Sequence, residues 1–170
     1  MLREDTQEGE ERESHTKRTL EERLRIEHQA KGGADWFFWV AGLSIVNSLI
    51  LLSGRNWSFI IGLGMTQFID AIALMVAEEI GHIGKIIGAI LDAFAAGIFV
   101  VFGIFARKRY QWSFIVGMIL YALDGLLFLL VQDMLSLGFH IFVLYGVYRG
   151  LAATRMLNMI ETQHEHQAAS

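Results

Sequence analysis

The chain has 170 residues, 54% of them apolar, with a net charge of −4 at pH 7 and neither Cys nor Pro. The negative charge excludes a strongly basic nucleic-acid binder, and the lack of Cys excludes disulfides, thiol nucleophiles, iron–sulfur clusters and Cys-based zinc sites. The lack of Pro predicts straight helices, with any bends left to Gly.

Charge is concentrated at the start, where residues 1–35 hold ten of the 18 acids and seven of the 14 bases. This stretch has no apolar core, so it reads as a charged extramembrane tail and not as a cleaved signal peptide. Residues 1–18 are aperiodic and predicted to be disordered. Thr19-Leu20-Glu21-Glu22 has the pattern of a capping box, with Thr three residues before Glu. It predicts a short helix over about 19–31, ended by Gly32-Gly33.

Five apolar runs follow, near 36–53, 57–77, 84–106, 112–132 and 137–156. Each is close to the ~20 residues that cross a ~30 Å hydrocarbon layer. The connections are short, which makes neighbouring spans antiparallel. The expected fold is an all-α integral membrane protein, a five-span up-down helical bundle with a polar C-terminal tail over 157–170. An odd number of spans puts the termini on opposite sides. On that layout Lys17, Arg18, Arg23, Arg25, Lys31 and Lys85 face Arg55, Arg107, Lys108, Arg109 and Arg155, six against five, so basic residues do not set the orientation.

The chain also repeats itself. Trp57-Ser58-Phe59-Ile60-Ile61-Gly62 returns later as Trp112-Ser113-Phe114-Ile115-Val116-Gly117. At the same offset Ala41-Gly42 falls on Ala96-Gly97 and Glu78 on Asp133. The repeat covers 36–79 (repeat A) and 91–134 (repeat B), two spans per copy, with 137–156 left over. Copies that each cross twice keep one orientation, which predicts parallel repeats.

Small and polar residues mark the packing faces, because helices in lipid associate by close backbone approach and interhelical hydrogen bonds. These faces are Ala41, Ser44, Asn47 and Ser48 on the first span, and Gly62, Thr66, Asp70, Ala73 and Ala77 on the second. The third carries Gly84, Gly88, Asp92 and Ala96, and the fourth Gly117, Tyr121 and Asp124. On the fifth, Gly138, Tyr145, Arg149 and Ala152 share a face, with His140 on its neighbour.

Asp70, Asp92 and Asp124 fall mid-span, where an ionised Asp costs at least about 2.5–3.5 kcal/mol. Their cationic partners within the spans are Arg149 and His140, and their neutral partners include Asn47, Ser48, Thr66, Gln67, Tyr121 and Tyr145. Three acids against one firm cation imply that at least one Asp is neutral at pH 7. At the offset of the repeat Asp70 aligns with Gly125 and Asp124 with Ile69, so the acids are not a duplicated pair. The weak candidates for a metal are Glu78 and His82, at i and i+4 if the helix continues; a polar helix end is the plainer reading. His140, the single mid-span His, is a candidate axial ligand for a haem or chlorophyll, although no cofactor is predicted. The pair Glu78-Glu79 resembles that of the CAAX-type intramembrane proteases, but the Arg after the pair and that family's His motifs are absent.

The expected function is that of a non-enzymatic membrane protein acting through helix–helix association, as an accessory subunit or a homo-oligomer. Its partners are the lipid bilayer and either a second copy or another membrane subunit. The alternative is a small proton- or cation-linked transporter or channel using the intramembrane Asp residues.

Overall fold

A computed structural model describes residues 2–53, 64–65, 82–130 and 132–169. Among the described residues the extended elements are four α-helices: α1 (Leu2–Leu52), α2 (His82–Arg107), α3 (Gln111–Leu130) and α4 (Met134–Ala169). All four are long and apolar enough to cross a membrane. The expected second span, 57–77, lies outside the described residues except for Gly64 and Met65.

Contacts along the helices fix their directions. Asp35 of α1 meets Arg107 at the end of α2, and Ser48 meets Asp92 nearer its start, so α1 and α2 are antiparallel. Ile26 and Ala30 of α1 pack with Ala153 and Leu157 of α4, again antiparallel. Asp124 of α3 meets His140 of α4, and Phe114 lies against Gly150. The core between the helices is built from Phe37, Val40, Phe99, Phe102, Phe114, Tyr121, Val143 and Val147, whose aromatic rings meet at tilted and edge-on angles. Large apolar residues such as Ile90, Phe94, Leu123 and Ile141 point outward.

Several expectations change. The N-terminal segment is not a disordered tail followed by a short helix over 19–31. Instead α1 is one helix of 51 residues. At the ordinary helical rise it is about 77 Å long. Ion pairs at i, i+4, Glu13–Lys17 and Glu27–Lys31, support its charged half. Gly32-Gly33 does not end it. A Cβ on Gly33 would overlap the backbone of Gly150, so this glycine lets α1 and α4 cross backbone to backbone. The C-terminal segment 157–170 is likewise helical through Ala169. The charged start of α1 and the polar end of α4 therefore extend from the same end of the bundle, not from opposite sides. Nor do the first halves of the two copies read from the sequence share an orientation. Segments 36–53 and 91–108, equivalent by sequence, run antiparallel in α1 and α2. Sequence similarity matches side chains but leaves chain direction to the connections and partners.

The two described turns share one backbone design. Arg109 and Gln132 adopt left-handed conformations (φ 64° and 58°). Tyr110 N–H then reaches back to Phe105 O and Asp133 N–H to Phe128 O, the six-residue closure that ends a helix.

Candidate functional site

The first buried polar group joins α1 to α2. On α1, Ser44, Asn47 and Ser48 recur at helical spacing, and all are buried. Ser44 Oγ donates to Val40 O at 2.9 Å, the common bond of a helical serine to the preceding turn. Ser48 Oγ lies 2.7 Å from Asp92 Oδ2 and 3.2 Å from Ser44 O. Asp92 is presented by the stripe of α2 in which Gly88 and Ala96 are also buried. It is 2% exposed, and its Oδ1 has no hydrogen-bond partner among the described residues.

The second group joins α3 to α4. Asp124 Oδ2 accepts the Gly64 N–H at 2.7 Å, and Oδ1 accepts the Met65 N–H at 2.7 Å. His140 Nε2 lies 3.0 Å from Asp124 Oδ2, and both side chains are almost fully enclosed. The other ring nitrogen, Nδ1, is 2.9 Å from Ser136 O. A carbonyl only accepts, so Nδ1 carries a hydrogen and donates it. One proton then lies between Nε2 and Oδ2, and the pair is electrically neutral as a unit whichever atom holds it. This neutrality makes the burial tolerable where a lone carboxylate would not be.

The imidazole is held on its faces as well. Tyr121 stacks on it at 4.3 Å between centroids and 13° between planes, and Phe128 lies at 5.0 Å. A Cβ at position 125 would come within 3.1 Å of the ring, so Gly125 supplies the space. Before His140 in the chain, Asp133 caps α4 by accepting the N–H groups of Leu135 and Ser136. Ser136 Oγ also donates to it at 2.6 Å. Those bonds, Ser136 foremost, hold the Asp133 carboxyl below its usual range. A pocket of about 380 Å³ opens between α2 and α3 beside this group, lined mainly by apolar residues including Ile98, Phe99, Leu120 and Leu123, with Met65 and Asp124 at its wall.

The structure therefore separates the expected site residues. Asp92 with Ser48 and Asn47 belongs to α1 and α2; Asp124, His140 and Tyr121 belong to α3 and α4. Asp70, Gln67 and Glu78 lie outside the described residues, as does the side chain of His82. Tyr121 contributes its ring face to His140, and its hydroxyl is without a hydrogen-bond partner among the described residues. Both nitrogens of His140 are engaged, which leaves none to ligate a haem or chlorophyll.

Arg149 meets neither Asp92 nor Asp124 among the described residues. It is exposed, with its guanidinium 5.9 Å from the Tyr145 ring, and its carbonyl accepts from Gln29. The fifth-span face expected to pack, Gly138, Tyr145, Arg149 and Ala152, is displaced from the core. The helix turns His140, Val143, Val147, Gly150 and Thr154 inward instead. Its close contacts explain the rotation: Gly146 lies under Trp36, and Gly150 lies against Gly33. Sequence pattern alone does not single out Ser136 or the backbone of Gly64 and Met65. The i, i+4 spacing of Ser136 and His140, just after a capping Asp, is the available signal.

A third cluster lies at the end of the bundle from which α1 and α4 extend. Arg107 bonds Asp35 at 2.7 Å and covers the Phe38 ring at 4.7 Å. Arg109 reaches Glu161 at 3.3 Å and Glu27 at 3.6 Å, tying the turn between α2 and α3 to both long helices. Lys31 beside Glu27 holds that carboxyl below its usual range. Lys17, Arg18, Arg23, Arg25, Lys31, Arg107, Lys108, Arg109, Arg149 and Arg155 all lie at or beyond this end, whereas Lys85 is in the first turn of α2 at the other.

No protein-family model, curated protein or solved structure matches this chain.

Proposed function

We propose that this chain is a non-enzymatic integral membrane protein that works through helix–helix association, as an accessory subunit or as a homo-oligomer. The observation that carries the reading is that Asp92 and Asp124 are each spent in a different interhelical contact. A transport path built from these acids needs them to converge on one polar cavity. The pocket beside Asp124 has an almost wholly apolar lining and Asp92 is not part of it, so the transport reading draws no support from either acid. Four crossings suffice for the proposal. A fifth crossing over 57–77 and a tandem repeat enter it only as features of the sequence.

The paired extensions of α1 and α4 give the association a side. Twelve Lys and Arg at or beyond their end, Arg3 and Arg12 of α1 included, against Lys85 at the other, favour that end as cytoplasmic, because basic residues flanking spans are retained inside. Arg55, which lies outside the described residues, does not alter that balance even if assigned to the smaller group. The extensions then form a helical stalk in the cytoplasm, with Leu20 and Leu24 exposed on α1.

Native mass spectrometry in mild detergent tests the association: an oligomer or a retained partner is expected, and a strictly monomeric, partner-free species sinks the reading. Because the chain has no Cys, single reporters map the sides cleanly. In intact cells, Lys108→Cys should be protected from an impermeant maleimide and Met134→Cys should react. The reverse pattern would overturn the orientation.

A further inference from the structure

We propose that Asp92 is a buried proton-binding site: its carboxyl stands in the α1–α2 contact as the neutral acid, with the proton on Oδ2 donated to Ser48 Oγ. Ser48 Oγ carries a single hydrogen, as any hydroxyl does. Two acceptor oxygens lie within its reach, Asp92 Oδ2 at 2.7 Å and Ser44 O at 3.2 Å. Ser44 O is a carbonyl oxygen and only accepts.

If Asp92 were ionised, the Ser48 hydrogen would go to one acceptor and leave the other short. At best the carboxylate would receive a single bond. Its Oδ1 would be a bare anionic oxygen on a residue 2% exposed, with no Lys, Arg or His in an ion pair with it among the described residues. A buried charge without paired donors is the costliest arrangement open to a carboxyl group.

As the neutral acid, every hydrogen has one acceptor. Asp92 Oδ2–H donates to Ser48 Oγ, at a separation ordinary for O–H···O. Ser48 Oγ–H donates to Ser44 O, and Ser44 Oγ–H donates to Val40 O. The atom left over is Oδ1, now an uncharged carbonyl oxygen, the kind of buried polar atom most readily left under-bonded. Asp124 supplies the contrast within one chain. It has a backbone N–H donor on each of its two oxygens and shares a proton with His140, so it needs none from solvent.

The ligand is thus a proton, held in a helix contact apart from the His140 pair. The test uses the full chain in a lipid bilayer at pH 7. The infrared difference between wild type and Asp92→Asn should contain the C=O stretch of a carboxylic acid. Absence of that band, with carboxylate bands in its place, overturns the proposal. Loss of the band on adding sodium would assign the site to a metal cation and overturns it equally. Should Asp92→Asn not fold, dicyclohexylcarbodiimide on the wild type decides. A neutral carboxyl adds its O–H across a C=N bond of the reagent, and the resulting O-acylisourea rearranges to a stable N-acylurea. Peptide mass spectrometry should find the adduct on Asp92. An unmodified Asp92 peptide, or modification that sodium suppresses, rejects the proton assignment.

Discussion

The α1–α2 and α3–α4 contacts each bury one aspartate, and they treat it differently. Asp124 meets Gly64 N–H, Met65 N–H and His140, and both of its oxygens are served. Asp92 meets one serine hydroxyl, and one of its oxygens is not served by any described residue. Two residues of the same type, both almost fully enclosed, are therefore a closed polar unit in one contact and an open one in the other. Burial alone does not define the chemistry of a carboxyl group; the number of hydrogens aimed at it does.

That contrast can be broken by substitution, starting where the effect is largest. His140→Leu leaves Asp124 without its proton partner and should cost about 3 kcal/mol, the range for breaking a buried charged pair. Unfolding in mixed micelles measures it, and a loss no larger than that of Asp92→Asn would end the distinction between the two contacts. Asp124→Asn keeps the shape but turns one oxygen into a donor facing other donors, with an expected loss of about 2 kcal/mol.

The cap that precedes His140 sharpens the α3–α4 side. Asp133→Ala should destabilise α4 by about 1 kcal/mol. Because the folded Asp133 carboxyl is held below its usual range, its contribution is complete above the ordinary carboxylate range and is lost as pH falls through the lowered value. Acid unfolding of wild type and Asp133→Ala should therefore converge at low pH. On the α1–α2 side, Ser48→Ala should cost only about 0.6 kcal/mol, the average for interhelical hydrogen bonds in a membrane protein. The smallest effect is expected at Gln132, whose φ of 58° is left-handed. That conformation favours glycine. Gln132→Gly should stabilise the turn by about 0.5 kcal/mol, read from the same unfolding curves.

Much of each contact is legible in the sequence as a face and little of it as a pair. The stripe Ala41, Ser44, Asn47, Ser48 is buried as its spacing predicts, and so are Gly88, Asp92 and Ala96. Periodicity places residues around a helix but does not say which helix they meet or at what height. Hence spacing alone offers Arg149 as a partner for the acids, although α4 carries it to the basic end of the bundle. The same blindness makes Gly32-Gly33 read as a break. Glycine ends a helix or permits a close crossing, and only the presence of Gly150 opposite selects the second.

By itself the sequence determined which runs are long and apolar enough to cross a membrane and the material of their contacts. Runs of about 20 apolar residues require helices that satisfy their own backbone in lipid. Small and polar residues at helical spacing mark where those helices approach one another. The tertiary structure alone decided direction, height and partnership: α1 against α2 in opposite senses, Asp92 beside Ser48, Asp124 beside His140, and the two long helices emerging together. The physical reason is that a hydrogen bond is a matter of a few ångströms between two chain segments. A one-dimensional pattern fixes each segment's surface but not the offset between them.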